Sequence, residues 1–120
     1  MKPNQSGELI PRSDKLRLSD IHRAATKIER IVSDKSSFLA DEIAQDAVAY
    51  NLLALSEACI NLSEDFKSNH PEIPWSAIRG IRNLLAHEYF VIDPEVIFVT
   101  ATKNVPDLMK NIQEHLPKDE

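Results

Sequence analysis

The sequence has few of the residues on which β-sheet folds and secreted proteins depend. Two glycines and 6% aromatic residues in 120 positions argue against a sandwich or a barrel, which need many turns and many strands with aromatic side chains. The single cysteine, Cys59, cannot form an internal disulfide, and this indicates a reducing compartment. Because Cys59 lies in an apolar row, we predict a buried and unreactive thiol.

Long apolar runs and an excess of positive charge are also missing. No apolar run approaches the ~20 residues of a membrane span, and the polar segment from Met1 to Asp14 lacks the apolar core of a secretion signal. We therefore expect a cytoplasmic protein with a flexible segment at residues 1–14 and a single helical domain at residues 15–120. The net charge of −5 gives no sign of a broad nucleic-acid-binding surface, although a dimer can form a local basic cleft from few residues.

Helix-forming residues at helical spacing are abundant. A hydrophobic content of 42% is enough for one core, and alanine, leucine, glutamate and lysine favour helices. We predict an all-α protein, an antiparallel up-and-down bundle of four to five helices. The first helix is expected from Leu18 to Val32, with Ser19 as its N-cap.

The second predicted helix runs without a break from about Leu39 to about Lys67. Leu53 and Ile60 lie off its main apolar row, which indicates either scattered surface apolarity or a second contact face, as in a dimer. The main row itself alternates spacings of four and three residues and predicts the central element of the bundle; it consists of Val48, Leu52, Leu55, Cys59, Leu62 and Phe66.

Prolines mark the starts of two further helices. Pro74 suits the first position of a third helix, and the run Asp93-Pro94-Glu95 predicts the start of a fourth. The segment Val96 to Thr100 favours a strand by propensity. We predict a helix there, because the start signal is strong and no partner strand exists elsewhere, and we expect Pro106 to kink or divide it.

The candidate functional residues are concentrated at the end of the third helix. Arg82, Asn83, His87 and Tyr89 fall within eight positions of an otherwise apolar segment. Each residue alone has an ordinary explanation, such as a surface ion pair, a helix cap or a packing ring. Together they suggest a site.

A metal site is not indicated by the histidines. The four histidines stand at positions 22, 70, 87 and 115, and none is paired with another histidine or a cysteine at the spacing of metal ligands. We therefore expect neither a metal nor a cofactor.

The pattern Arg82-x4-His87-x-Tyr89, with Asn83 after the arginine, resembles the motif of HepT-like toxins in the HEPN superfamily. The resemblance covers about residues 16–116 and implies a HEPN-like fold. It also implies a metal-independent ribonuclease toxin that is a homodimer with a composite RNA-binding cleft. Arg82 and His87 would be the catalytic residues, and Asn83 would support them.

The resemblance includes two further segments. One is the run from His70 to Trp75 that precedes the motif helix. The other is Ser56-Glu57-Ala58, where the family usually has Gly-Glu-Ala. It implies that Glu57 lines the cleft and helps to hold Arg82, although a solvated surface acid is the ordinary interpretation of Glu57.

The chemistry of RNA cleavage explains these residue types. Without a metal, the 2′-hydroxyl of RNA attacks the neighbouring phosphorus, which requires a base, an acid and positive charge beside the phosphoryl oxygens. Histidine suits the proton transfers because its pKa lies near neutrality. Arginine is always charged and its planar fork matches a phosphate, while Asn83 can orient the histidine or bond the phosphate.

Helix geometry points to two copies of the chain. A helix turns by ~100° per residue, so Tyr89 returns to within about 20° of Arg82, whereas His87 lies about 140° from Arg82. One helix therefore holds Arg82 and His87 awkwardly for a shared phosphate. Two copies around a twofold axis can place the arginine of one beside the histidine of the other.

Partners and rival functions follow from the resemblance. It implies neutralisation by an MntA-like nucleotidyltransferase antitoxin that transfers AMP from ATP to Tyr89, so that Mg²⁺ and ATP belong to the partner. One alternative is a non-catalytic HEPN module that docks on a nucleotidyltransferase, which suits the acidic pI. Another is a purely structural helical dimer.

Overall fold

The computed structural model describes residues 10–88 and 92–116, and all regular structure in these residues is helical. The predicted all-α bundle is confirmed. The α-helices are α1 Arg12–Ile31, α2 Lys35–Leu39, α3 Glu42–Ile60, α4 Glu64–Ser68, α5 Trp75–Glu88, α6 Pro94–Val99 and α7 Val105–Ile112. A π-helical segment, Thr100–Asn104, joins α6 to α7, and a 3₁₀ turn, Gln113–His115, follows. None of the described helices has the length and apolarity needed to cross a membrane.

Helix α3 is the centre of the bundle. Its most extensive contact is with α1 and the next is with α5. The predicted apolar row is buried along its whole length, which confirms that this row faces the core; its members are Val48, Leu52, Leu55, Cys59, Leu62 and Phe66. Full burial of one large apolar side chain contributes about 1.5–3 kcal/mol. Because Phe66 lies on α4, the row holds both α3 and α4 against the core.

Helix α1 begins earlier than the sequence pattern predicted. It starts at Arg12 rather than at Leu18, and Ser19 lies inside the helix rather than at its N-cap. Ile10 and Asp14 are buried, so the packed structure already includes residues 10–14, which were assigned to the flexible segment. The cause is distant in sequence, because the Asp14 carboxylate accepts hydrogen bonds from Ser63, 49 residues away.

The long second helix predicted from Leu39 to Lys67 is wrong, because side-chain caps divide this part of the chain. Asp41 is the N-cap of α3, and its carboxylate accepts a hydrogen bond from the Ala44 N–H at 3.1 Å. Ser63 is the N-cap of α4, and its hydroxyl accepts from the Phe66 N–H at 3.1 Å. Such side chains satisfy the free N–H groups of a new helix start and so compete with continuation of the previous helix.

In the C-terminal part, the helices begin and divide where the prolines predict. Asp93 caps α6, accepting from the Glu95 N–H at 2.9 Å, and Pro94 occupies the first turn. The prediction of a helix rather than a strand from Val96 is confirmed. Pro106 lies in the first turn of α7, directly after the π-helical segment, so the predicted division at this proline is also confirmed.

Candidate functional site

Helix α5 carries the candidate residues, and its packing fixes their directions. The helix begins directly after Pro74, and the Trp75 Nε1–H donates to the carbonyl oxygens of Lys67 and His70 at 3.2 and 3.0 Å. Leu85 is buried further along the same helix. These contacts anchor α5 at both ends and leave its other sides for polar residues.

Arg82 lies on the side of α5 that faces α3, where it meets Glu57. The Arg82 Nε is 2.7 Å from Glu57 Oε1, and the two side chains are 28% and 44% exposed. The contact is a close ion pair rather than an aligned hydrogen bond, because the buried Nε makes no hydrogen bond of ordinary geometry. A terminal nitrogen of the same guanidinium donates to Asn83 Oδ1 at 2.8 Å. The structure thus brings Arg82, Asn83 and Glu57 together.

The backbone that carries Glu57 is fixed by its neighbours on α3. Ser56 is buried, and its hydroxyl donates to the Leu53 carbonyl at 3.0 Å. This is the serine that stands where the resembling family usually has glycine. Asn61 is the C-cap of the helix, and its side-chain amide donates to the Glu57 carbonyl at 2.9 Å. Glu57 is therefore held on a rigid helix end opposite Arg82.

His87 is exposed in the last turn of α5. Five residues separate it from Arg82, so the two side chains leave the helix about 140° apart. One protomer does not unite Arg82 and His87 on one face. Tyr89, the predicted modification site, lies outside the described residues.

Two other histidines come together in the interior, which their sequence spacing did not reveal. His70 and His115 are 45 residues apart, yet their Nε2 atoms are 3.0 Å apart. His70 Nδ1 lies 2.8 Å from the Phe66 carbonyl oxygen, and because a carbonyl only accepts, this nitrogen carries the hydrogen. The Phe66 ring stacks on His70 with centroids 4.3 Å apart.

This histidine pair joins the loop after α4 to the C-terminal turn. Nowhere in the described residues do three or more His, Cys, Asp or Glu side chains form a group that could hold a metal ion. The His70–His115 contact links two residues that are 45 positions apart in the sequence. Only long-range pairing information could have predicted it.

Comparison with known proteins agrees with the motif and the fold. The family described as "Ribonuclease HepT-like" matches residues 21–115. A protein of Thermococcus cleftensis named "Probable ribonuclease HepT" is 38% identical over 101 residues, which cover 82% of this chain and 92% of that protein. A protein of Caldanaerobacter subterraneus subsp. tengcongensis named "Putative RNase" is 35% identical over 82 residues, covering 68% of this chain and 73% of the relative. No solved structure matches significantly.

Proposed function

Because this chain belongs to the HepT-like ribonuclease family, we propose that it is a metal-independent ribonuclease that acts as the toxin of a toxin–antitoxin pair. The arrangement on α5 carries the proposal. Arg82 is anchored beside Glu57, and His87 is exposed on the last turn of the same helix. A fixed cation and an accessible imidazole supply the positive charge and one of the two proton transfers that metal-free RNA cleavage requires.

The proposed reaction is a transesterification within the RNA strand. The 2′-oxygen of one nucleotide forms a bond to the adjacent phosphorus, and the bond from phosphorus to the 5′-oxygen of the next nucleotide breaks. One His87 removes the 2′-hydroxyl proton, and His87 of the partner subunit gives a proton to the leaving 5′-oxygen. Arg82 neutralises the charge that develops on the phosphoryl oxygens. The products are a 2′,3′-cyclic phosphate and a 5′-hydroxyl end.

A homodimer is part of the proposal, since Arg82 and His87 leave α5 in different directions. The side of this helix that carries Gly80 is open, because a Cβ atom added at Gly80 would meet no other atom within 4 Å. Gly80 and His87 are seven residues apart and so share that side. On α3, Leu53 and Ile60 are only partly buried in the protomer. These surfaces are our candidates for the contact with a second copy.

Substitution of the two catalytic residues tests the activity. We expect Arg82→Ala and His87→Ala each to reduce RNA cleavage at least about 100-fold, to abolish growth inhibition, and to leave helicity and dimerisation unchanged. Cleavage of a labelled RNA is measured in the presence of a strong chelator. Arg30→Ala, which removes an exposed arginine of α1, is the matched control and should remain active. A chelator-sensitive activity, or full activity in either variant, would overturn the mechanism.

We also propose that Tyr89 is the site of control, through AMP transfer by a nucleotidyltransferase antitoxin. An attached AMP adds bulk and negative charge, and this negative charge opposes the binding of RNA phosphates. Co-expression with the antitoxin should add whole AMP units to the protein and stop cleavage. Tyr89→Phe should stay unmodified and escape neutralisation, whereas Tyr50→Phe, at an exposed tyrosine of α3, should behave as the unaltered chain. Normal neutralisation of Tyr89→Phe would show that the antitoxin acts by binding alone.

A second candidate function is a non-catalytic module that docks on a nucleotidyltransferase. Two observations favour it: the net charge of −5, and the contacts of Arg82 with Glu57 and Asn83, which occupy part of its guanidinium. This module would bind the nucleotidyltransferase tightly and would cut no RNA, so the cleavage assay separates the two functions.

A further inference from the structure

A groove lies beside the Glu57–Arg82 ion pair, one helical turn further along the same two helices. It has a volume of about 480 Å³ and lies between the end of α3, helix α4 and the start of α5. Ile60 and Arg79 line it. Ile60 comes three residues after Glu57 and Arg79 three residues before Arg82, each on the same side of its helix as its partner in that comparison. The groove therefore begins one helical turn away from the ion pair. Because Ile60 is also a candidate for the dimer contact, the groove adjoins that contact.

Arg79 is the cation of the groove that no carboxylate among the described side chains neutralises. Lys67 is only 13% exposed in its side chain; its Nζ donates to the Ile60 carbonyl at 2.6 Å and lies 3.7 Å from Glu64 Oε1. Lys67 thus caps the end of α3 and balances Glu64. Arg79 is exposed. Among the side chains that the structure describes, no carboxylate forms an ion pair with it. The net charge of the groove is therefore due to Arg79.

The other walls of the groove suit a nucleotide. The partly exposed indole of Trp75 forms one wall, with its N–H already bonded to backbone carbonyls. The indole therefore offers an apolar ring surface with no unmet donor. Ser68 and Ser76 add hydroxyl groups to the rim. A cation beside a fixed aromatic ring is the combination with which proteins bind single-stranded nucleic acids, since the cation bonds a phosphate and the ring packs against a base.

We propose that this groove is a second RNA subsite, in which Arg79 binds the phosphate next to the one held by Arg82. The inference rests on the proposed ribonuclease function, because an RNA strand engaged at Arg82 must continue past one side of it. The groove begins one helical turn from the ion pair, so a strand held at Arg82 needs to extend only that far to reach Arg79. An acidic protein segment could also pair with Arg79, but it would leave the aromatic wall and the proximity to Arg82 unused.

Binding of an uncleavable RNA tests the subsite directly. The probe is a single-stranded 2′-O-methyl RNA of about ten nucleotides, which lacks the attacking hydroxyl. We expect Arg79→Ala to weaken binding to the full chain roughly tenfold and to reduce the slope of log Kd against log salt by about 0.7, the value for one lost contact with a single strand. Arg30→Ala removes the same charge elsewhere and should change neither quantity.

Cleavage kinetics distinguish strand binding from chemistry. For an RNA of about ten nucleotides, Arg79→Ala should raise KM roughly tenfold without changing kcat, and for a dinucleotide, which does not reach the groove, it should change neither. If Arg79→Ala behaves as Arg30→Ala, lowers kcat alone, or impairs only the binding of a protein partner, the subsite is wrong while the ribonuclease function stands. If the unaltered chain neither binds nor cuts RNA, the proposed function itself is wrong.

Discussion

At the scale of single residues, the chemistry of Arg82 depends on which donors of its guanidinium stay free. Nε faces Glu57, and one terminal nitrogen donates to Asn83. A guanidinium has five N–H donors in a rigid fork, so the remaining donors of the terminal nitrogens are available to a phosphate. In the proposed reaction, Glu57 would be a positioning residue, since it would act through Arg82 rather than on the RNA.

A double-substitution experiment tests this role of Glu57. We expect Glu57→Gln to lower cleavage about tenfold, because the guanidinium loses the charge that orients it, and to leave folding intact. In an Arg82→Ala chain, the same change should have no further effect on the residual activity. Glu42→Gln, at an exposed position at the start of α3, is the control. A full additional loss in the double variant would show that Glu57 acts on the substrate itself.

At the scale of the elements, short polar side chains decide where the helices begin. The sequence pattern predicts a single helix from about Leu39 to about Lys67. Within this segment, Asp41 and Ser63 each start a new helix. Ser63 has a second role, since its backbone N–H and its hydroxyl donate to the buried Asp14 carboxylate at 2.8 and 2.6 Å. One cap therefore also ties the start of α1 to the start of α4.

The Asp14–Ser63 contact makes a prediction about stability. Asp14→Ala should lower the free energy of unfolding by about 2–3 kcal/mol, because it leaves the Ser63 N–H without its acceptor in a region with little access to water. Asp14→Asn keeps an acceptor and should cost less. Ser13→Ala, at the exposed neighbouring position, should be near neutral. Urea unfolding followed by circular dichroism gives the values, and equal midpoints for all three variants would contradict the prediction.

At this scale, a feature could be predicted from the sequence when the interactions that hold it join residues close together in the chain. The buried row of α3 and the start of α6 depend on residues within one or two turns, and both could be predicted. The early start of α1 depends on Ser63, and the His70–His115 contact also joins distant parts of the chain. Local periodicity contains no information about such pairs. In the site, the motif pattern indicates Arg82 and His87. Nothing in the sequence around Arg79 indicates a function, and the proposal for this residue depends on the groove that it lines.

At the scale of the whole molecule, Arg82 and His87 leave α5 in different directions, yet the proposed reaction needs both at one phosphate. Arg82 faces α3, and His87 is exposed in the last turn of α5. A twofold dimer would place the arginine of one protomer beside the histidine of the other without bending the helix. Each dimer would then hold both residues in duplicate, with two histidines for the two proton transfers.

Complementation between inactive chains tests the composite site. We expect Arg82→Ala and His87→Ala chains, each inactive alone, to recover a small part of the activity when they are co-expressed and purified as heterodimers. Each heterodimer regains one intact arginine and one intact histidine, but the second proton transfer lacks its histidine, so the recovery stays partial. Homodimers of each variant, mixed without subunit exchange, are the control. A monomer by light scattering, with cleavage unchanged on dilution, would contradict the dimer.

The buried thiol on α3 makes the fold sensitive to alkali. Burial raises the pKa of Cys59 to about 12, despite the opposing effect of the positive charge on Lys67. The pKa of a thiol in an unfolded chain is ~8.5. Between these values the unfolded chain releases a proton that the folded chain keeps, so stability falls as the pH rises through this window, by up to about 1.4 kcal/mol per pH unit. A thiol-alkylating reagent reacts with the ionised form, and it therefore reaches Cys59 only when the core opens. The rate at which Cys59 is alkylated at mildly alkaline pH therefore measures how often the bundle opens around its central helix.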